Sequence, residues 1–259
     1  MKSPMRSSRE NPNEISATLG QVMIRDTCLV RCIGVARTYG SGANAVVAIH
    51  GVSCSIYPRM RVALTGPSGS GKSTLIHLMA GLDRPTAGTV QWPALDGDPL
   101  GRPGLIGVVF QGPSLLPPLN VLENVALPLV LAGRTDSDAR ANARDALALL
   151  ELDDLANKLP EELSGGQAQR VSIARVLAGR PALILADEPT GQLDRATGEH
   201  VIDVLLEAAG ELGAALVVNT HDRNVAARLD AQWKLRDGAM ESQNEYGLHS
   251  DNQDSETTS

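Results

Sequence analysis

The residues Gly66-Pro67-Ser68-Gly69-Ser70-Gly71-Lys72-Ser73-Thr74 fit the pattern G-x-x-x-x-G-K-[ST] and follow the apolar run Val62-Ala63-Leu64. This order predicts a strand that enters a phosphate-binding loop, with a helix after it. Glycines let backbone N–H groups turn toward an anion, and the N-terminus of the helix adds its positive end. An ordinary glycine-rich turn is the alternative, but the strand before the motif and the helix after it favour phosphate binding.

Lys72 and Ser73 indicate which ligand the loop binds. We expect the Lys72 ammonium to reach the terminal phosphates of a nucleoside triphosphate, while the Ser73 hydroxyl ligates the Mg²⁺ that accompanies them. The chain has only four lysines, and one of them lies here.

Composition and charge narrow the classes of function. The 259 residues are enough for one large domain or two small ones. The net charge is −7, the pI is about 5.3, and neither Lys nor Arg forms a dense run, so we predict no nucleic-acid partner. An odd count of three cysteines is typical of a reducing compartment, with the cytosol as the default. Cys28 and Cys32 lack the second Cys or His pair of a metal site, so we reject that interpretation.

The two ends of the chain differ in composition from its middle. Residues 1–27 are rich in Ser, Asn, Pro and charge and lack an apolar signal core, so we interpret them as a flexible leader. Residues 241–259 hold five carboxylates and no Lys or Arg, which is typical of a disordered acidic tail. No apolar run reaches the roughly 18 residues of a membrane span. Function is therefore predicted to lie in residues 28–240.

Two apolar segments before the phosphate loop predict a small antiparallel layer. Leu29–Val35 and Val46–Val52 lie on either side of the turn Gly40-Ser41-Gly42. Tyr39, beside this turn, is one of three tyrosines in the chain. Its ring either stacks on a purine base or packs against the layer at the strand end, and the residues alone leave both interpretations open.

Gln111 ends the predicted strand Ile106–Phe110 and begins a loop rich in Pro and Leu. An amide at this junction between a rigid sheet and a mobile segment is a candidate sensor of Mg²⁺ and water. The sequence then turns helical, with apolar side chains three and four residues apart in a helix that Asp136 or Ser137 caps. We expect a separate helical subdomain over about residues 112–166.

A second anion site is predicted at Ser164-Gly165-Gly166-Gln167, which opens another helix. Residues 66–74 are already predicted to hold a phosphate, and both loops would need the same face of that anion. This second site is therefore not expected to bind the same phosphate. The simplest solution is that it contacts a nucleotide held by another copy of the chain. The sequence therefore predicts a homodimer.

Two carboxylates follow the apolar run Leu183–Ala186. We expect Asp187 to hold Mg²⁺ through water and Glu188 to orient or deprotonate the attacking water. Capping of the next helix is the weaker alternative, because Pro189 intervenes and that helix is predicted to begin only near Thr197.

His221 has an equivalent place after the next predicted strand, Ala214–Val218. A lone histidine is usually structural. This one is predicted to lie at the same sheet edge as Asp187, so we interpret it as a hydrogen-bonding partner of the γ-phosphate.

Taken in order, these motifs resemble those of the ATP-binding subunits of ABC transporters, over roughly residues 28–240. The motifs of the first half are the aromatic A-loop residue (Tyr39), Walker A (residues 66–74) and the Q-loop glutamine (Gln111). Those of the second half are the signature (residues 163–167), Walker B (residues 183–187), the catalytic glutamate (Glu188), the D-loop aspartate (Asp194) and the switch histidine (His221). The resemblance favours stacking of Tyr39 on the base.

The resemblance implies a fold and a mode of action. The expected fold is α/β, a P-loop NTPase with a RecA-like core, an antiparallel β subdomain and an inserted α-helical subdomain. The implied cofactors are ATP and Mg²⁺. Two copies are expected to form a head-to-tail dimer, with each ATP between the Walker A loop of one copy and the signature of the other. Such a subunit lies at the cytoplasmic face of the membrane and drives a separate transmembrane permease subunit.

Three further segments, residues 81–88, 115–117 and 123–129, resemble the lipoprotein-release and macrolide-efflux group of this family. Arg59-Met60 replaces the group's usual Gly-Glu, and Gln192 stands where Asn commonly precedes Leu, but neither departure touches a catalytic position. The alternative is a regulatory ATPase of the cell-division type, which controls cell-wall hydrolases without moving cargo.

The loop after Gln111 offers a predicted contact for the permease. Leu115, Leu116 and Leu119, in a loop stiffened by prolines, are expected to receive a short permease helix. The alternative is that these leucines pack the core of the helical subdomain.

Overall fold

The computed structural model describes residues 28–95, 97–101 and 104–245, which form two β-sheets and six α-helices. The predicted leader, residues 1–27, and residues 246–259 of the predicted tail lie outside the described residues.

The smaller sheet is the predicted antiparallel layer. It contains β1 (Val30–Tyr39), β2 (Val46–Ile56) and β4 (Ala87–Gln91) in the order β2-β1-β4. Cys32 and Cys54 are opposite each other across β1 and β2, and the three cysteines are buried and unbridged.

The larger sheet carries the ends of the functional strands. In chain order its strands are β3 (Arg61–Thr65), β5 (Ile106–Val109), β6 (Leu183–Asp187), β7 (Ala215–Asn219), β8 (Ala231–Arg236) and β9 (Ala239–Glu245). They lie side by side in the order β5-β6-β7-β3-β8-β9, and every pairing is parallel except β8 with β9. The carboxyl ends of the parallel strands therefore meet at one edge, where ligands bind in sheets of this kind.

Helices cover both faces of the larger sheet. They are α1 (Lys72–Met79), α2 (Val121–Leu131), α3 (Asp136–Leu149), α4 (Gly165–Leu177), α5 (Arg195–Leu212) and α6 (Arg223–Ala226). Successive residues of β3 point to opposite faces: Val62 and Leu64 join an apolar cluster with α1 and the antiparallel layer, whereas Ala63 joins the cluster that contains α2 to α5. None of the helices in the described residues combines the length and apolar character that a membrane crossing needs.

The predicted helical segment, residues 112–166, contains α2, α3 and two short 3₁₀ turns, and its last residues lie in α4. The predicted cap of α3 is wrong. Thr135 caps this helix, because its Oγ1 accepts a hydrogen bond from the N–H of Asp138, and Asp136 lies inside the first turn. Several cap-type residues are adjacent here, and composition alone does not rank them. The limits of a separate subdomain stay a prediction.

The strand β9 corrects the predicted end of the domain. The acidic tail is predicted to begin at residue 241, but β9 continues to Glu245 and pairs with β8. Lys234 Nζ lies 2.7 Å from Glu241 Oε2, which joins the two strands through an ion pair. A polar segment can form an edge strand when its neighbour supplies backbone hydrogen bonds and opposite charge, and composition does not show this.

Candidate nucleotide-binding site

The loop between β3 and α1 has a backbone that requires glycine at three positions. Gly66, Gly69 and Gly71 have φ angles of +146°, +78° and +97°. A Cβ on Gly66 would lie 2.0 Å from the carbonyl oxygen of Leu235, and one on Gly71 would lie 2.3 Å from that of Ala48. The loop is therefore packed tightly against β8 and β2, which fixes its shape.

The Lys72 side chain folds back onto this loop. Its Nζ donates hydrogen bonds to the carbonyl oxygens of Gly66 at 3.0 Å and Pro67 at 2.9 Å, and the residue is only 5% exposed. Among the described residues, no carboxylate forms an ion pair with Lys72. A buried ammonium bound only to carbonyl dipoles leaves a net positive charge for an anion at the loop.

The other residues of the motif lie on the rim of the loop and in the first turn of α1. Pro67, Ser68 and Gly69 are exposed, and Ser73 is exposed beside the half-buried Thr74. Ser70 is buried, its Oγ has no hydrogen-bond partner in the described part of the chain, and its carbonyl oxygen accepts from the N–H of Gly238. The β8–β9 turn thus supports the loop from behind.

Asp187, the last residue of β6, lies beside Ser73. The Ser73 hydroxyl donates a hydrogen bond to Asp187 Oδ1 at 3.0 Å, and the Asn219 side-chain amide donates to the same oxygen. Hydroxyl and carboxylate oxygens are ligands that Mg²⁺ prefers, so the residues present fit this ion. The described residues contain no cluster of three or more His, Cys, Asp or Glu that could hold a metal. Phosphates and water would therefore supply most of the ligands.

Glu188 and Gln111 converge beside Gly191. A Cβ on Gly191 would lie 3.0 Å from Gln111 Nε2 and 3.5 Å from Glu188 Oε2. Glu188 has a φ of +47°, which is uncommon for a residue with a Cβ, and its N–H donates to the carbonyl oxygen of Asn219 at 3.1 Å. The structure thus brings together the carboxylate and the amide that are predicted to act on water.

His221 lies two residues beyond the end of β7. It is exposed, whereas Thr220 before it is only 4% exposed. Asp187 and Asn219 are register partners in neighbouring parallel strands, so His221 leaves the sheet at the same edge as Glu188. Its contact with the γ-phosphate stays a prediction.

Tyr39 ends β1 and is 39% exposed. Its hydroxyl donates to Asp83 Oδ2 at 2.8 Å, and the guanidinium carbon of Arg37 lies 4.4 Å from the ring centroid. Arg37 Nε also donates to Asp83 Oδ2, at 2.8 Å. Burial raises the pKa of Asp83, but the hydrogen bonds from Tyr39 and Arg37 outweigh it, and the pKa lies below its ordinary value. Arg37 covers one face of the ring, so a base can stack only on the other.

Ser164, Gly165, Gly166 and Gln167 lie at the start of α4. Ser164 Oγ accepts from the N–H of Gln167 at 3.2 Å, and Gln167 Oε1 accepts from the N–H of Ser164 at 2.9 Å, which is a capping box. A cleft of about 620 Å³ is lined by Ser164, Gly165, Gly166, Gln167, Arg170, Gln192, Leu193, Asp194, Ala196, Thr197 and His200. No residue of the phosphate loop is among them.

Asp194 caps α5 in this cleft. Its carboxylate accepts hydrogen bonds from the Thr197 hydroxyl at 2.6 Å and the Thr197 N–H at 3.1 Å, and these bonds hold the pKa of Asp194 below its ordinary value. As a result α5 begins at Arg195, two residues before the predicted start. Asp194 therefore lines the same cleft as Ser164.

Sequence reasoning missed the side chains that hold these groups in place. They are Arg37, Asp83, Gln169, Arg175 and Asn219. One signal was available, because Asn219 is a polar residue that directly follows four apolar residues of a buried strand.

The strand, the glycine loop with its buried lysine and the adjoining carboxylate define a P-loop nucleotide-binding protein. A family model described as ABC transporter matches residues 49–191. The lipoprotein-releasing system ATP-binding protein LolD 2 of Caulobacter vibrioides is 43% identical over 217 residues, which cover 81% of this chain and 95% of that protein. LolD of Shewanella denitrificans, with the same description, is 41% identical over 224 residues, which cover 83% and 95%.

A solved structure of an ATP-binding cassette is also similar to this chain. The ATP-binding cassette MJ0796, in a dimeric post-hydrolysis state bound to ADP and Pi, is 39% identical with a TM-score of 0.75, and the match covers 85% of this chain and all of that one. The chain belongs to the ABC transporter family. It is an ATP-binding subunit that hydrolyses ATP, and the predicted family, fold class and enzymatic activity are confirmed.

Proposed function

We propose that this ATPase drives lipoprotein release. Two copies would form a head-to-tail dimer at the cytoplasmic face of the membrane, with ATP and Mg²⁺, and would act on a separate permease. The observation that supports the dimer is the division of the site into two parts. The phosphate loop and the carboxylates lie at the sheet edge, and the start of α4 with Asp194 lines a cleft of its own.

The residues at the sheet edge would divide the work. Lys72 neutralises the β- and γ-phosphates, and the backbone N–H groups of residues 66–74 surround them. Ser73 and, through water, Asp187 would hold Mg²⁺, which would supply positive charge beside the phosphates. Glu188 would orient the attacking water and accept its proton. Gln111 would lie beside Glu188 and this water, and His221 would contact the γ-phosphate. Tyr39 stacks on the base.

The cleft at the start of α4 is proposed to take a nucleotide from a second copy. Helix N-termini bind anions, and the backbone N–H groups of Gly165 and Gly166 lie at this one. Ser164 would complete the contact to phosphate, with Gln167 and Asp194 at its border. The dimeric state of the similar cassette MJ0796 supports this arrangement.

Lipoprotein release is the specific activity that the similar proteins favour. Two of the relatives described above are named as ATP-binding proteins of lipoprotein-releasing systems, and the identity extends over more than four fifths of this chain. Contacts to cargo would lie in the permease, so the ATPase supplies the energy and not the selectivity.

The test is reconstitution with the permease that copurifies with this chain. Proteoliposomes that contain both subunits and a lipidated substrate protein should release that protein to a soluble acceptor when ATP and Mg²⁺ are present. Liposomes with the Lys72→Ala variant serve as the control and should release none. ATP hydrolysis without release, together with activation of a cell-wall hydrolase by the same complex, would favour the cell-division type of ATPase instead.

A further inference from the structure

Asn219 is an unusual residue for its place in the fold. It ends β7, a central strand whose five residues, Ala215–Asn219, are all fully buried, and its own exposed fraction is 0%. The four residues before it are apolar. Burying a primary amide costs free energy unless the amide is hydrogen-bonded, so this position needs a compensating contact.

One half of that contact is visible. The Asn219 side-chain N–H donates to Asp187 Oδ1, the same oxygen that accepts from Ser73. The backbone carbonyl oxygen of Asn219 accepts from the N–H of Glu188 at 3.1 Å, where the backbone of Glu188 has its uncommon φ of +47°. A single residue therefore holds both members of the carboxylate pair, one through its side chain and one through its backbone.

The oxygen of the Asn219 side-chain amide needs a hydrogen-bond donor. Asn219 Oδ1 is buried and has no hydrogen-bond partner among the described residues. Buried carbonyl oxygens are nearly always paired with protein or with ordered water. On the side of β7 away from β6, the register partner of Asn219 is Leu64 in β3. The Leu64 side chain has no hydrogen-bond donor. An oxygen in this position can accept a hydrogen bond from a water molecule.

We infer that Asn219 is a positioning residue for the magnesium site. Because the hydrogen bonds from Asn219 and Ser73 both end on Asp187 Oδ1, they fix the rotation of the carboxylate that would hold Mg²⁺. The same residue sets the direction in which Glu188 leaves the strand. The inference rests on the proposed roles of Asp187 and Mg²⁺. Groups that orient metal ligands in this way typically change metal affinity by about 10- to 100-fold when they are removed.

The experiment measures how strongly Mg²⁺ improves nucleotide binding, without turnover. The dissociation constant of the non-hydrolysable analogue AMP-PNP is determined by calorimetry in Mg²⁺ and in EDTA for wild type and for Asn219→Val, which suits a buried strand. Affinity in EDTA should stay within about twofold, while the improvement by Mg²⁺ should fall about tenfold. Asn219→Thr, which has the shape of valine but carries a hydroxyl, should recover part of the loss.

Thr220→Val is the matched control, since it removes a buried hydroxyl at the next position that bonds to Asp222 and not to Asp187. Its Mg²⁺ dependence should equal that of wild type. An unchanged Mg²⁺ improvement in folded Asn219→Val would overturn the inference, and so would a failure of both Asn219 variants to fold, because the residue would then be structural. Wild type that shows no Mg²⁺ dependence would instead contradict the proposed function.

Discussion

The side-chain amide of Gln169 donates a hydrogen bond to the backbone carbonyl oxygen of Phe110 at 3.1 Å. Gln169 belongs to α4, the helix that begins at the predicted signature, and is 2% exposed. Phe110 directly precedes Gln111. The helix that is proposed to contact one nucleotide is therefore bonded to the segment that carries Gln111, the proposed sensor of another.

Arg175 holds the other end of the same segment. From the last turn of α4, its guanidinium donates to the carbonyl oxygens of Pro113 and Ser114 at 3.1 and 2.9 Å. Burial lowers the pKa of Arg175. Because both ends of the segment are bonded to α4, we expect a movement of this helix to displace Gln111 as well.

The first prediction tests this connection with Gln169→Leu. The change keeps the size of the side chain but leaves the Phe110 carbonyl oxygen unpaired, so the free energy of unfolding should fall by about 1–3 kcal/mol. Binding of one ATP per monomer should persist, whereas ATP-dependent dimer formation should weaken, as measured by light scattering. Gln243→Leu is the control, because it removes an exposed bond of the same kind to Ser53. Equal dimer formation in both variants would show that α4 and Gln111 are not coupled.

The second prediction concerns the base. Tyr39→Ala removes the exposed ring, and loss of base stacking should weaken ATP binding by on the order of 10- to 100-fold. Binding of inorganic tripolyphosphate, which has no base, should stay unchanged in the same competition assay. Equal weakening of both ligands would mean that the ring supports the phosphate loop and contacts no base. Asp83→Asn should give a smaller loss with the same selectivity, since Arg37 and the ring remain.

The third prediction concerns the phosphate charge. Lys72→Ala should abolish nucleotide binding, because the ammonium that is proposed to face the β- and γ-phosphates is lost while the loop remains. Equilibrium dialysis with labelled ATP measures the loss, and Lys158→Ala removes an ammonium outside the loop as the control. Unchanged ATP affinity in Lys72→Ala would contradict the assignment of the site.

The fourth prediction concerns Glu188 and the dimer. Glu188→Gln should keep ATP binding but slow hydrolysis by on the order of 10²–10⁴, the usual effect of losing a general base. With ATP and Mg²⁺ this variant should elute as a dimer in size-exclusion chromatography. Adding Ser164→Arg should return it to a monomer by filling the cleft, whereas Ser137→Arg, on the exposed start of α3, should not. A monomer at every concentration would exclude the shared site.

The sequence was sufficient where the chemistry is local. The glycine pattern before Lys72 demands a particular backbone, and apolar runs that end in Asp187 and His221 place both at one edge of a parallel sheet. The loop depends only on residues close in the chain, and the shared edge follows from the common direction of parallel strands, so pattern and spacing predict both.

It was insufficient where a residue acts through distant neighbours. Asp83 is a turn residue in the sequence, and only the fold brings it to Tyr39, 44 positions away. Gln169 lies in an amphipathic helix as an ordinary polar residue until its bond to Phe110, 59 positions away, is seen. The polar half of β9 is a strand only because β8 lies beside it. Such contacts are products of tertiary packing, and no local rule contains them.

In the loop after Gln111, two adjacent leucines differ in exposure, and the sequence does not predict this difference. Leu115 packs against the apolar cluster of α2 to α5, which agrees with the core-packing interpretation for this residue. Leu116 is 43% exposed, although its backbone N–H and carbonyl oxygen are both bonded to the side chain of Asn124, at 2.7 and 3.1 Å. Asn124 is 1% exposed, so it fixes the backbone while the Leu116 side chain faces outward.

The last prediction uses this pair of neighbours to locate the permease. Leu116→Asp should leave the isolated ATPase folded and active, since an exposed side chain changes stability by only about 0.5 kcal/mol, but it should abolish copurification with the permease because the apolar contact is lost. Leu115→Asp places a charge against the core and should unfold the chain, as thermal denaturation will show. If Leu116→Asp binds the permease normally and is stimulated by it, the docking helix contacts another surface. If it loses both folding and activity, the core-packing interpretation holds for Leu116 as well.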